Sequence, residues 1–443
     1  MKWQPYTKYK ESGVEWLGEV PEHWVVSKVR RISKSVSTGT TPSTSEEAYF
    51  SDGTINWFTP GDFGEAICLD DAQRKLSQKS VDDGRIQMFP RGTVFLVGIG
   101  ATIGKVGLIA ESAAANQQIN AIVPGENTNP KYLAFLLYYL EPVVRMHSSS
   151  STIGIVNQEK TKSLSVLLPP LDEQQQVVAL LDREAARIDT MIAKQERLIE
   201  LLQEKRQALI SHAVTRGLNP DAPMKPSGVE WLGAVPAHWT LRKVSTFSKK
   251  ITNGFVGPTR DILVDSGVRY LQSLNIKKNR ILFDGEYFVT ERWSNEHSKS
   301  ILRAGDVLIV QTGDIGQVAV VPEEFAGANC HALIIVTPDR RVVLGEYLAL
   351  VFSSAFGVGF LESIQTGALH PHLNCGDVKD IPIPLPPISE QAATSVEVAR
   401  RTEAIDNLTS RCRHSIDLLR EHRTALISAA VTGKIDVREP SHA

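Results

Sequence analysis

Cysteine, aromatic residues, long apolar runs and an excess of either charge are all scarce in this sequence. Its four cysteines, Cys68, Cys330, Cys375 and Cys412, stand far apart with no CxxC pair. That excludes a disulfide framework and a cysteine-rich zinc site, and the four read as reduced thiols. No stretch reaches the ~18 consecutive apolar residues that a membrane-spanning helix needs, and residues 1–10 are polar with no apolar signal core. The expected location is cytoplasmic, with no membrane partner. Lys and Arg number 48 against 50 Asp and Glu. The balance holds by segment: 17 and 17 over residues 1–170, 7 and 8 over 171–217, 16 and 17 over 218–388, 8 and 8 over 389–443. A strong whole-chain pull on nucleic acid is thereby excluded.

The composition, 42% hydrophobic and 22% charged, is that of an ordinary globular protein, and 443 residues exceed what one core organises. At least two domains follow, and an internal repeat shows where they lie. Ser12-Gly-Val-Glu-Trp-Leu-Gly-Glu-Val-Pro-Glu-His-Trp24 recurs as Ser227-Gly-Val-Glu-Trp-Leu-Gly-Ala-Val-Pro-Ala-His-Trp239, 215 residues on. Leu168-Pro-Pro-Leu-Asp-Glu-Gln174 recurs as Leu385-Pro-Pro-Ile-Ser-Glu-Gln391, and the segment beginning at Arg206 recurs from Arg423, both 217 residues on. Between these blocks the copies diverge. A period this long makes each copy a domain rather than one turn of a solenoid. The organisation predicted is a first domain over 1–170, a spacer helix over 171–217, a second domain over 218–388, a second spacer helix over 389–435 and a flexible tail over 436–443.

The spacers read as helices because no proline or glycine interrupts the first between Pro170 and Gly217, and Asp172 and Glu173 place acids in its first turn. Heptad a positions at Val178, Ala185, Ile192, Ile199, Arg206 and Ala213, with d positions at Leu181, Ile188, Gln195, Leu202 and Leu209, are apolar in nine of eleven cases. The second spacer offers Ser395, Thr402, Thr409, Ile416, Arg423 and Ala430 with Val398, Ile405, Cys412, Leu419 and Leu426, seven of eleven. Two seams in one chain predict intramolecular, antiparallel pairing, with the polar breaks at Gln195, Arg206 and Arg423 setting register. An amphipathic helix lying on its own domain is the alternative.

The divergent units have an α/β pattern. Segments 94–97, 105–109 and 119–123 are short, β-rich and bounded by glycine or proline, and 132–139 is a short apolar helix. Segments 307–310, 317–321, 333–336 and 347–354 repeat that order. Polar loops accompany them: Thr38, Thr40, Thr41 and Ser43 in one, Ser149 and Ser151 in another. Basic clusters stand at Lys28, Arg30, Arg31 and Lys34, and at Lys277, Lys278 and Arg280 beside Gln272, Ser273 and Asn275. Such residues suit hydrogen bonds to phosphates and base edges. Solvated loops and faces would carry the same composition, and both readings stand at this point.

These residues carry a family resemblance. Two diverged domains, each introduced by Gly-Val-Glu-Trp-Leu-Gly-x-Val-Pro-x-His-Trp and followed by Leu-Pro-Pro-x-x-Glu-Gln and a long helix, resemble the specificity subunit of type I restriction-modification systems over nearly the whole chain. Trp57-Phe-Thr-Pro-Gly-Asp62 and Asn116-Gln117-Gln118 resemble that family's target-recognition domains; the second copy departs at Tyr270-Leu-Gln-Ser-Leu-Asn275 and Asn329-Cys330-His331. The resemblance implies a non-catalytic reader of double-stranded DNA with two α/β target-recognition domains, each recognising half of a split target. It also implies helices that space the halves and dock two methyltransferase subunits, to which restriction-translocase subunits add; no cofactor is expected.

Enzyme readings fail locally. Gly98-Ile-Gly-Ala-Thr-Ile-Gly104 has GxGxxxG spacing, and Gln311 replaces its first glycine in the second copy. Gly104-Lys105 is followed by Val106 rather than Ser or Thr, so it is not a phosphate loop. No Asn-Pro-Pro-Tyr or Asp-Pro-Pro-Tyr segment is present. Asp377-Val-Lys379 has an acid-x-lysine form, but its counterpart Lys160-Thr-Lys162 lacks the acid, which favours a solvated linker. His370, His372 and Cys375 offer three metal ligands without a fourth, and the first copy has none of them. No metal is expected; His370 and His372 are instead candidates for donating to phosphate or base. A coiled-coil scaffold without DNA contact is the competing function.

Overall fold

The computed structural model describes residues 3–146, 148, 154–277, 279–367 and 372–438. Its contacts form two compact units, Met1–Gln195 with His414–Ala443, and Glu196–Arg413. Each holds one domain together with half of each long helix, so the boundaries cut across the spacers rather than following them.

In the first unit a five-stranded sheet runs in the order Ser33–Thr38, Ile119–Pro124, Val94–Val97, Val106–Ile109, Cys68–Leu69, antiparallel except for the last pair. Val94–Val97 is apolar throughout because both faces of the sheet are covered. Val94 and Leu96 join the core under the helix Pro130–Tyr139, and Phe95 and Val97 join a second core with Phe58, Phe89 and Ala115. That helix begins at Pro130, two residues before the sequence expectation, since Asn129 caps it by accepting from the Lys131 and Tyr132 amides. The second unit repeats the plan with Ser248–Asn253, Leu333–Pro338, Val307–Val310 and Val318–Val320, and the helix Gly345–Ser353. Val307 and Ile309 face one core, Leu308 and Val310 the other.

Each domain is closed where it begins and ends. Val25–Lys28 pairs antiparallel with Ser165–Leu168, and Thr240–Lys243 with Pro382–Leu385, immediately before each long helix. This brings the His-Trp motif of each copy to the first turn of the helix leaving that domain.

The long helices run Leu171–Arg216 and Ile388–Val431, about 69 and 66 Å at 1.5 Å per residue. Along the predicted seam Leu181, Ile188 and Leu202 are buried and Val178, Ile192, Ile199 and Leu209 half-buried; on the second helix Val398, Ile405, Ile416 and Leu426 are buried and Leu419 half-buried. The weaker second pattern is no weaker in packing. Thr402 and Thr409 are also buried, their hydroxyls donating to the Val398 and Ile405 carbonyls one turn back. Pairing is antiparallel in each unit: in the first Arg423 lies 3.3 Å from Asp189 while Leu181, earlier on its helix, shares a core with Ala430, later on the other; in the second Arg206 lies 3.4 Å from Asp406 while Ala213 clusters with Val398. The two seam arginines therefore meet carboxylates that the apolar pattern did not reveal.

The expected flexible tail is corrected at its start. Asp436 is buried and its amide donates to the Gln4 carbonyl at 2.8 Å, while Ile435, expected in the second spacer helix, is buried beyond the last turn of that helix at Val431. Residues 439–443 lie outside the described residues.

Candidate nucleic-acid interface and the helix clasp

The repeated motifs prove to be two halves of one lock. Glu173, in the first turn of the first long helix, has a side chain only 3% exposed and accepts from His23 Nε2 at 2.8 Å, Trp24 Nε1 at 3.1 Å and the Tyr6 hydroxyl. Burial, with the Glu173 carboxylate next in importance, pushes the Tyr6 phenol well above its usual range. In the second copy Glu390 accepts from His238 at 2.8 Å and Trp239 at 3.1 Å. The adjacent glutamines complete the lock. Gln174 accepts from the Asn129 amide and donates to the Asn127 and Pro169 carbonyls; Gln391 accepts from Leu344 and donates to Val342 and Pro386. A Glu-Gln pair is needed because one side chain holds the motif and the other ties the helix start to the loop before the domain's own helix.

The same motif also receives a helix end. Gly217 and Gly433, both with positive φ, follow the two long helices. A Cβ at Gly217 would stand 3.2 Å from Trp239, and one at Gly433 would collide with Pro21 and lie 3.3 Å from Trp24. The end of the second helix thus docks on the first motif, some four hundred residues earlier in the chain. Sequence reasoning treated these blocks as markers and missed their partners, which are separated by about 150 residues.

Of the DNA-binding candidates, Arg30 and Arg31 are exposed on the short helical turn Val29–Ile32. Lys28 donates to Ser165 at 2.8 Å, and Lys34 lies 3.8 Å from Glu126. The hydroxyl loop is brought together with amides from three other segments. Thr38 bonds Asn120 and accepts from Gln158, Thr40 accepts the Gln87 amide at 2.9 Å, Thr41 donates to Gln117, and Ser43 bonds Ser45. Gln87 also donates to Ser37 at 3.1 Å. In the second domain Lys277 and Arg280 are paired and exposed across a tight hairpin, and Ser273 is half-buried.

Asn275 is not available to a ligand. It is fully buried, accepts from the Gln272 amide at 2.8 Å and donates to the Leu282 carbonyl, so with Gln272 it caps a short 3-10 turn. Thr59 and Asp62 form the same box in the first domain, which gives the Thr-Pro-Gly-Asp segment its structural reason. His372 is exposed and lies 3.0 Å from Thr366. Ser149, Ser151, Lys278 and His370 lie outside the described residues.

Asp377 and Lys379 are exposed, as a solvated segment would be, but lie in and at the end of the short helix Cys375–Val378 rather than in an irregular linker. Packing requires the first and last glycines of the Gly98 to Gly104 loop: a Cβ at Gly98 would stand 2.6 Å from the Val156 carbonyl and 2.7 Å from Asn120 Nδ2, and one at Gly104 2.9 Å from the Glu141 side chain. Among the described residues no helix is long and apolar enough to cross a membrane.

With this geometry in hand, three comparisons are informative. The family model described as the type I restriction modification DNA specificity domain matches residues 21–201 and again 239–409. The type I restriction enzyme MjaIX specificity subunit of Methanocaldococcus jannaschii is 23% identical, with 99% of this chain and 98% of that protein covered. The EcoBI specificity subunit of Escherichia coli is 23% identical over 74% of this chain and 70% of its own. A chain from a structural study of complex assembly and conformational transition in a type I R-M system shares the fold at a TM-score of 0.72 and 14% identity, covering 94% of this chain and 99% of its own. The HsdS subunit of Thermoanaerobacter tengcongensis follows at 0.54 and 13%, covering 94% and 98%.

Proposed function

Because the chain belongs to the family of type I restriction modification DNA specificity domains, matched twice along its length, we propose that it is the target-reading subunit of a type I restriction-modification complex. Each domain reads one half of a bipartite sequence in double-stranded DNA. The chain holds two methyltransferase subunits, and restriction-translocase subunits join through the assembled complex. The observation that carries this reading is the contrast within the repeat: the His-Trp and Glu-Gln residues of the clasp recur with the same bonds in both copies, while the loops at the domain surfaces differ. Duplicated scaffold with divergent loops is what two readers of different half-sites require. Exposed apolar residues support two copies of one partner, since Met191 and Leu201 on the first helix reappear 217 residues later as Leu408 and Leu418.

The chain supplies no catalysis of its own. Two of the three glycines of its glycine-rich loop are required by packing, and the matched family is defined by DNA specificity rather than by a reaction. The balanced charge fits a reader that grips DNA only when partner subunits close around the duplex. A scaffold without DNA contact is disfavoured by that same family assignment.

Sequencing methylated DNA from cells carrying this chain and its methyltransferase partner tests the reading. A split motif is expected, and replacing residues 240–380 with the equivalent domain of a relative should change one half and leave the other intact. A change in both halves refutes modular reading. Calorimetry of the purified chain should detect no binding of S-adenosylmethionine; appreciable binding would count against a non-catalytic subunit.

A further inference from the structure

One pair of loops has the same backbone construction in both units and opposite chemistry. In the first, the Gly39 amide donates to the Ile119 carbonyl at 3.0 Å and Thr40 to Ala115 at 2.7 Å. In the second, Gly254 donates to Leu333 at 2.7 Å and Phe255 to Cys330 at 2.9 Å. Both glycines are required by the crossing: a Cβ at Gly254 would stand 2.6 Å from the Cys330 carbonyl, and one at Gly39 would collide with those of Ala115 and Asn116. The residues presented next are Thr41 and, at the matching place, Val256. Thr41 is joined through its hydroxyl to the Gln117 amide. Val256 is a bare aliphatic side chain, 65% exposed.

A lone exposed valine needs no explanation, but this one is mounted rigidly. Phe255 beneath it meets the rings of Trp293 and His297 edge-on at 5.1 and 5.0 Å, and those two rings stack at 4.0 Å. The loop folds over Phe255 so closely that a Cβ at Gly257 would lie 2.7 Å from the ring. The Ala332 amide donates back to the Phe255 carbonyl at 2.9 Å, with Ala332 held at a φ of 45°. An aromatic base and a doubly bonded loop thus hold an apolar tip in water, where the first domain holds a hydroxyl and an amide. On the major-groove edges of the base pairs the one apolar group is the thymine 5-methyl.

Resting on the reading of each domain as a half-site reader, we propose that Val256 is a specificity-determining residue that contacts the 5-methyl group of a thymine in the half-site of the second domain. The Thr41–Gln117 pair addresses a polar base edge in the other half. The test uses the complex with methyltransferase subunits and a duplex carrying the methylated motif. Each thymine of the second domain's half-site is replaced in turn by deoxyuridine, which removes only the methyl group. At one position binding should weaken by about fourfold, the value of one buried methyl group, and Val256→Ala should bind thymine and deoxyuridine there equally well. Domain exchange assigns the half-site. The proposal is overturned if no position responds to the loss of the methyl group, or if Val256→Ala keeps the full preference. A complex that yields no split motif at all overturns the half-site reading itself, and this assignment with it.

Discussion

Removing the carboxylate of the clasp should loosen the two units unequally. Glu173 collects three donors, Tyr6, His23 and Trp24, at 3% side-chain exposure, whereas Glu390 collects two, His238 and Trp239, at 27%. The third donor is absent from the second copy because Asp221 occupies the place of Tyr6 in the repeat. Hydrogen bonds to a charged group contribute ~1.5–3 kcal/mol each, and stranding buried partners raises the cost. Glu173→Ala should therefore cost about 3–5 kcal/mol, in the range for breaking a buried charged network, and Glu390→Ala about 1.5–3 kcal/mol, where water reaches the gap. A single unfolding free energy is poorly defined for a chain of two units, so the assay is hydrogen exchange resolved by segment. Protection in the first turns after Leu171 should fall more than that after Ile388 in the corresponding variant, by roughly thirtyfold for a 2 kcal/mol difference. Equal losses in the two variants, or losses spread evenly along both helices, would refute the claim that donor number and burial set the strength of each clasp.

Gly433→Ala should destabilise the first unit by about 1–3 kcal/mol, more than Gly217→Ala does the second, because both strain a positive φ but only the first drives a Cβ into Pro21; hydrogen exchange resolved by segment compares the two variants unit by unit. Arg206→Ala should weaken helix pairing, since its partner Asp406 is left without a counter-charge, and Asp406→Ala made in the same chain should restore part of the loss, as a double-mutant cycle would report. Inserting one heptad after Leu202 preserves the seam and adds ~10.5 Å of helix. If helix length spaces the half-sites, the unread gap should grow by at most ~3 bp at 3.4 Å per base pair, and methylation at the original spacing would show that the helices serve docking alone.

Much of the scaffold was legible in the order of residues because its causes are local. The helical seam is a periodicity of one segment, so Leu181, Ile188, Val398 and Ile405 could be named as pairing positions without knowing their partners. The strands Val94–Val97 and Val307–Val310 are short apolar runs between turn residues, and the duplication itself is a property of the string. The repeat also carried the family, since two copies of one motif set leave few architectures open.

Tertiary structure decided what those residues do for one another. Glu173 lies 150 residues from His23, and Gly433 more than four hundred from Trp24, separations across which no periodicity reports a contact. Only packing shows that the His-Trp motif receives both a helix start and the end of the other helix. The candidate interface was legible in type but not in place. Composition marked Asn275 as a base-reading amide because an amide is polar wherever it sits, and burial turned it into the cap of a turn. Thr41 was found for its hydroxyl, while Val256 passed unnoticed because an aliphatic residue in a sequence reads as core. Whether a side chain faces the core or the solvent depends on the sheet and the aromatic platform beneath it, and these form only when strands distant in the chain are brought into register.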